Sequence, residues 1–142
     1  PHICFNHTDL YYSFKHMTKI QLKRVYSDPE GTTANDGYRI YIDRLWPRGE
    51  SKNTFHYDLW AKDIAPSTEL REWFHQNQQQ NWETFVKRYT DELDASPAFQ
   101  QLIKTIKQYP SVTLLYSSHN TAHNNAIVIA DLLKKQPGIN VI

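Results

Sequence analysis

The sequence predicts an α/β fold: a small, mostly parallel sheet of about three to four strands with helices packed on its faces. Three observations predict it. Short β-rich runs occur at 19–26, 38–45 and 112–116, whereas the long middle of the chain repeats its apolar residues at helical spacing. That helical stretch separates the second and third β-rich runs, and a crossover of such length joins parallel strands through a right-handed connection. A further helical stripe follows the third run and continues the alternation.

Each element has its own signature. Ile20, Leu22, Arg24 and Tyr26 alternate with Lys19, Gln21, Lys23 and Val25, giving a strand over 19–26. Residues 27–37 (SDPEGTTANDG) are turn-formers throughout and read as a mobile loop. The run 38–45 is β-rich, with Ile40 and Ile42 on one face and Tyr41 on the other, and its apolar character predicts burial on both sides. Residues 46–66 are irregular, with one helical turn expected near 57–62. Pro66-Ser67-Thr68 then supplies capping chemistry, and Leu70, Trp73 and Phe74 fall at i, i+3 and i+4. Trp82, Phe85, Val86, Tyr89 and Leu93 form the cleanest helical stripe. Ser96-Pro97 reads as an N-cap followed by an N1 proline, with Leu102, Ile103 and Ile106 on the helix it starts and Pro110 beyond its end. Val112–Tyr116 is apolar enough for a central strand. A helix is expected over 121–135, ended by Pro137-Gly138, with a short edge strand at 140–142.

At 142 residues the chain has the size of one domain. Residues 1–16 hold Cys4 and three of the seven histidines, lack a clean period and precede the single methionine, Met17. They read as an extraneous or disordered N-terminal segment, which leaves one α/β domain over 17–142. A lone cysteine forms no internal disulfide and fits a reducing compartment, so a cytoplasmic location is expected. No stretch approaches the ~18 apolar residues of a membrane span. A formal net charge of +1 argues against a dedicated nucleic-acid binder, although it permits a local basic patch.

Asp43-Arg44-Leu45-Trp46-Pro47-Arg48-Gly49 is the most informative stretch. Folding alone does not require two arginines, a tryptophan and an acid directly after a strand. Arginine is a planar fork suited to carboxylates and phosphates. If the second and third strands are parallel, this loop and residues 117–123 leave the sheet at the same edge, where α/β sheets bind ligands. The second loop, Ser117-Ser118-His119-Asn120-Thr121-Ala122-His123-Asn124-Asn125, leads into a helix whose first N–H groups attract anions. Asn120 or Thr121 is the expected cap. Arg44, Arg48, Ser117, Ser118, His119 and Asn124 are the anion-binding candidates. Asp43 and His123, which both titrate, are the acid/base candidates. Trp46 and Lys62 are expected in the cleft wall. Arg71, just after the cap, is placed to point back to the strand ends. The bland alternatives are capping and solvated histidines for the second loop, and a buried ion pair to Asp43, Asp58 or Asp63 for the arginines.

His119, His123 and Asp43 also resemble a two-histidine, one-carboxylate metal set. The spacing is permissive and His119 precedes the helix, so no metal is assigned. Neither G-x-S-x-G, a Walker loop nor G-x-G-x-x-G occurs, and no cofactor follows from the sequence.

The stretch 43–49 resembles the opening signature of the YeaO-like family, a bacterial family classed as a domain of unknown function. The resemblance extends through Leu59-Trp60-Ala61-Lys62-Asp63-Ile64-Ala65-Pro66-Ser67 and Leu70-Arg71-Glu72-Trp73-Phe74. It continues through Trp82-Glu83-Thr84-Phe85 with Arg88-Tyr89, then 112–116, then His123-Asn124-Asn125-Ala126. It spans about residues 19–135 and implies no activity, because the family has none to transfer. A basic residue is common in the family at the position of His119; histidine makes that charge depend on pH. The expectation is therefore a site for a small phosphate- or carboxylate-bearing molecule, with a catalytic role open. The alternative is a non-catalytic module that binds a nucleotide or a protein. Oligomeric state is not legible.

Overall fold

The computed structural model describes residues 17–32 and 35–142; the expectation for residues 1–16 lies outside them. Among the described residues the chain runs β1 (Thr18–Arg24), a 3-10 turn (Val25–Ser27), β2 (Tyr38–Tyr41), β3 (Leu59–Trp60) and a second 3-10 turn (Lys62–Ile64). There follow α1 (Thr68–Gln76), α2 (Gln78–Asp94), α3 (Pro97–Ile106), β4 (Ser111–Tyr116), α4 (Asn125–Leu133) and β5 (Ile139–Val141).

The strands form one sheet of order β3-β2-β4-β1-β5, with every pairing parallel. Tyr38 stands opposite Val112 and Tyr41 opposite Leu115, so the second and third strands foreseen in the sequence are neighbours. The sheet has five strands, more than expected. The addition the sequence hid is β3, a two-residue strand inside the stretch read as irregular; it occupies the place of the helical turn expected near 57–62, and a 3-10 turn follows it at Lys62–Ile64. The second strand stops at Tyr41, short of the expected Leu45, although Ile42 N–H still donates to Leu115 O at 3.1 Å.

Strand alternation divides the core in two. Ile20, Ile40, Ile42, Val112, Leu114 and Tyr116 share one cluster with the buried residues of all four helices, among them Phe74, Phe85, Tyr89, Leu102, Ile106 and Ile129. Each fully buried aliphatic side chain contributes about 1.5–3 kcal/mol. On the other face Tyr41 and Leu115 pack with Val25 and Phe55, with Tyr26, Trp46, Tyr57 and Trp60 around them. Helices cover the first face and loops cover the second. Right-handed crossovers require this. The chain steps toward β3 when it leaves β1 and β2, and steps back when it leaves β3 and β4, so the two sets of connections lie on opposite faces.

The helix starts follow the side-chain chemistry. Ser67 Oγ accepts from Leu70 N–H at 3.3 Å and Ser96 Oγ from Phe99 N–H at 3.2 Å. The last helix begins one turn later than expected, and its cap is Asn124, not Asn120 or Thr121: Asn124 Oδ1 accepts from Ile127 N–H at 3.1 Å. Asn120 instead closes the turn before it, accepting from Ala122 and His123 N–H at 3.1 and 2.9 Å. Among the described residues no helix is long and apolar enough to cross a membrane.

Candidate functional site

The loop leaving β2 turns over the loop-covered face, and the chain leaving β4 turns toward the helices. Adjacent strands whose connections diverge leave a crevice at their carboxyl ends. A cleft of about 540 Å³ opens there.

The arginine loop is built by short-range chemistry. Glu50 N–H donates to Pro47 O at 3.2 Å, and Gly49 sits at φ 85°, the left-handed position that a type II turn gives to glycine. Arg48 is therefore at the tip of a turn and is exposed. Trp46 Nε1 clamps the same turn by donating to Glu50 O at 2.6 Å, and Tyr26 OH donates to Arg48 O at 2.7 Å. The Trp46 ring packs edge-on against Phe55, Tyr57 and Trp60. One side of the cleft is thus the rim of the aromatic core.

Asp43 joins the pieces. Its Oδ2 accepts from Ser117 N–H at 2.8 Å and Ser117 Oγ–H at 2.7 Å, and its Oδ1 from Asn125 Nδ2 at 3.1 Å. Its carbonyl oxygen accepts from Trp60 Nε1 at 2.7 Å. One residue ties the end of β2 to β3, to the end of β4 and to the start of α4.

Four arginines line the cleft: Arg24 from the end of β1, Arg44 and Arg48 from the loop after β2, and Arg71 from α1. Asp43 is the only carboxylate among the described lining residues. Arg24 is held in place: its Nε donates to Ser118 O, its Nη2 meets His119 Nδ1, both at 2.9 Å, and its guanidinium lies 4.6 Å from the Tyr26 ring centre. Arg44 reaches the Ala65 and Pro66 carbonyls at 3.4 Å, close to the limit of a hydrogen bond. Arg44, Arg48 and Arg71 form no ion pair among the described residues. The alternative that Arg44 or Arg48 pairs with Asp43, Asp58 or Asp63 is thereby removed. His75 also lines the cleft; partial burial, then the charge of Arg71, lowers its pKa from the ordinary value.

Arg44, Arg48, Asp43, Trp46, Ser117, Ser118, His119 and Asn124 thus come together around one cleft. Asn124 contributes from below, because its side chain is 2% exposed and is spent on the cap and on Asn120 O. Two expected residues are elsewhere. His123 stacks on Trp82 with ring centres 4.5 Å apart and is absent from the cleft lining. Lys62 sits 4.8 Å over the Trp60 ring instead of in the wall. With His119 turned to Arg24 and His123 to Trp82, the imagined metal set does not converge, and no group of three or more metal-ligating side chains forms among the described residues. Arg24, Tyr26 and His75 were not singled out in the sequence. Their signal was their position at the end of a strand and one turn beyond Arg71, and it needed the order of the sheet to be read.

The family model described as the inactive DUF488-N3 subclade matches residues 19–138. The chain belongs to that family. It is similar to uncharacterized protein YeaO of Escherichia coli (strain K12), with 44% identity over 115 residues, which cover 81% of this chain and 96% of the relative. It is also similar to uncharacterized protein Mb3100c of Mycobacterium bovis and to uncharacterized protein Rv3073c of Mycobacterium tuberculosis. Each of these is 38% identical over 116 residues, 82% of this chain and 94% of the relative. No solved structure matches. The YeaO-like resemblance in the sequence thus corresponds to a recognised family, and the family descriptions assign no ligand.

Proposed function

We propose that the cleft binds a small molecule through a phosphate or carboxylate group, as a binding site without turnover. The observation that carries this reading is the convergence of Arg24, Arg44, Arg48 and Arg71 on one cleft that also holds a single carboxylate. Both oxygens of that carboxylate already accept hydrogen bonds from Ser117 and Asn125. Guanidinium groups without carboxylate partners in a concave, partly apolar site favour an anionic ligand. The first turn of α4 adds N–H groups at the same edge.

Two features favour binding over catalysis. The Asp43 carboxylate is spent on Ser117 N–H, Ser117 Oγ–H and Asn125 Nδ2, which uses both its oxygens to tie structural elements together. His123, the other acid/base candidate, is stacked away on Trp82. The word "inactive" in the family's description points the same way. Asp43 then acts as a positioning residue that sets the width of the cleft. The near-neutral net charge of +1 favours a small ligand over a nucleic acid.

The test is thermal unfolding with sulfate, phosphate or citrate at constant ionic strength. A site for these anions raises the melting temperature in a saturable way. Arg48→Ala should abolish that rise while leaving the melting temperature in chloride unchanged. A rise that survives Arg44→Ala, Arg48→Ala and Arg71→Ala in turn would place the anion elsewhere.

A further inference from the structure

We propose that the cleft takes a ligand with two linked phosphoryl groups, a diphosphate, rather than a single oxyanion; this rests on the anion-site reading above. Charge is the first argument. Four guanidiniums against one carboxylate leave a formal excess of three positive charges around one cavity. A lone phosphate carries about −1.5 to −2 near neutral pH, whereas two linked phosphoryl groups carry roughly −3.

Size is the second argument. The cavity of about 540 Å³ lies within the range of small-molecule sites, roughly 300–1,000 Å³, and one oxyanion leaves most of it empty.

Arrangement is the third. The contacts sort the arginines into two pairs. Arg24 stacks on Tyr26, and Tyr26 OH holds the carbonyl of Arg48, which groups these two residues at the β1 side. Arg44 leans on the Ala65 and Pro66 carbonyls, just ahead of the helix that carries Arg71. Two pairs suit two anionic centres. The forks arrive from three elements, the end of β1, the post-β2 loop and α1. A tetrahedral phosphoryl group offers oxygens in several directions, while a carboxylate offers two in one plane.

The experiment is calorimetric titration of the full chain with orthophosphate, pyrophosphate, ADP and citrate, at one pH and one ionic strength. Pyrophosphate is expected to bind at least tenfold more tightly than orthophosphate or citrate. Arg48→Gln and Arg71→Gln, one from each pair, should each weaken pyrophosphate binding at least tenfold. Arg88→Gln, on α2 outside the cleft, should leave it unchanged. ADP tighter than pyrophosphate assigns the diphosphate to a nucleotide; equal affinity assigns it to the diphosphate alone. Equal affinity for orthophosphate and pyrophosphate overturns the inference and leaves the anion site standing. Citrate equal to pyrophosphate overturns the phosphoryl assignment. Pyrophosphate binding unchanged in both cleft variants, whose folding is checked by their melting temperatures, also overturns it. Failure of every anion to bind overturns the anion-site reading itself.

Discussion

Two groups of arginines in this molecule use the same side chain in opposite ways. Arg39, on β2, is 2% exposed and lies under the loop that joins β1 to β2. Its Nη1 pairs with Asp36, its Nε donates to His56 O at 3.0 Å, and its Nη2 donates to Asp28 O and Pro29 O at 2.9 and 3.2 Å. Asp36 also takes Lys23 Nζ and, at 3.2 Å, Gln21 Nε2. Arg44, Arg48 and Arg71, a few residues past a strand end or at a helix start, have no carboxylate partner among the described residues. A charge inside the protein is held only when its donors are matched. On the reading proposed above, a charge kept unmatched in a cleft is available to a ligand. Stability and binding should therefore separate under mutation.

The largest expected effect lies at Arg39. Arg39→Ala takes one of the two cationic partners of Asp36 and the donor of the Asp28, Pro29 and His56 carbonyls, which costs about 3 kcal/mol of stability. Urea melts will measure it, and a loss below about 1 kcal/mol would remove the distinction between the two arginine groups. Asp43→Ala comes next. It orphans the Ser117 N–H and loosens the junction of β2, β4 and α4, for an expected loss of about 1–3 kcal/mol. Anion protection should fall with it, because the cleft loses its fixed width. Asp43→Asn should recover part of both, since one carbonyl oxygen still accepts from Ser117.

Arg48→Ala is the opposite case. Its guanidinium is exposed and holds nothing together, so stability should move by no more than about 0.5 kcal/mol, while the rise in melting temperature from added sulfate disappears. A double variant with Arg39→Ala should show simple addition of the two stability changes, because the side chains share no partner.

The contrast explains what the sequence could and could not reveal. The strand–helix order, the parallel neighbours β2 and β4 and the shared edge of their loops were legible because apolar periodicity and crossover length dictate them. The arginine loop stood out because Pro47, Arg48 and Gly49 encode a turn locally. β3 was not legible, since two residues carry no period. The cap of α4 was misplaced because Asn120, Thr121 and Asn124 all have capping side chains. Asn124 wins because its Nδ2 also reaches Asn120 O at 2.9 Å. His123 and Lys62 were drawn into the site by nearness in sequence, whereas their positions are set by the Trp82 and Trp60 rings. Arg39 was passed over as part of a strand, although it is among the largest fully buried side chains of the fold. Its partners, Asp28, Asp36 and His56, come from loops whose approach no local pattern encodes.

The smallest expected effect is a pH dependence that belongs to the cleft alone. Burial and the neighbouring Arg71 lower the His75 pKa, so the folded protein disfavours its protonated form. The stability tied to this group is complete above its ordinary value, about 6.5, and is lost as pH falls through that value toward the depressed one. An anion beside Arg71 cancels part of the repulsion and makes protonation easier. Binding then takes up a proton, and affinity rises as pH falls below about 6.5. Sulfate is the proper probe, because its own charge stays constant across the window. Affinity at pH 5.5 should exceed that at pH 7.5 by less than about tenfold, the worth of one pKa unit. His75→Gln should flatten the profile. If the profile stays steep in His75→Gln, the proton is taken up elsewhere and not beside Arg71.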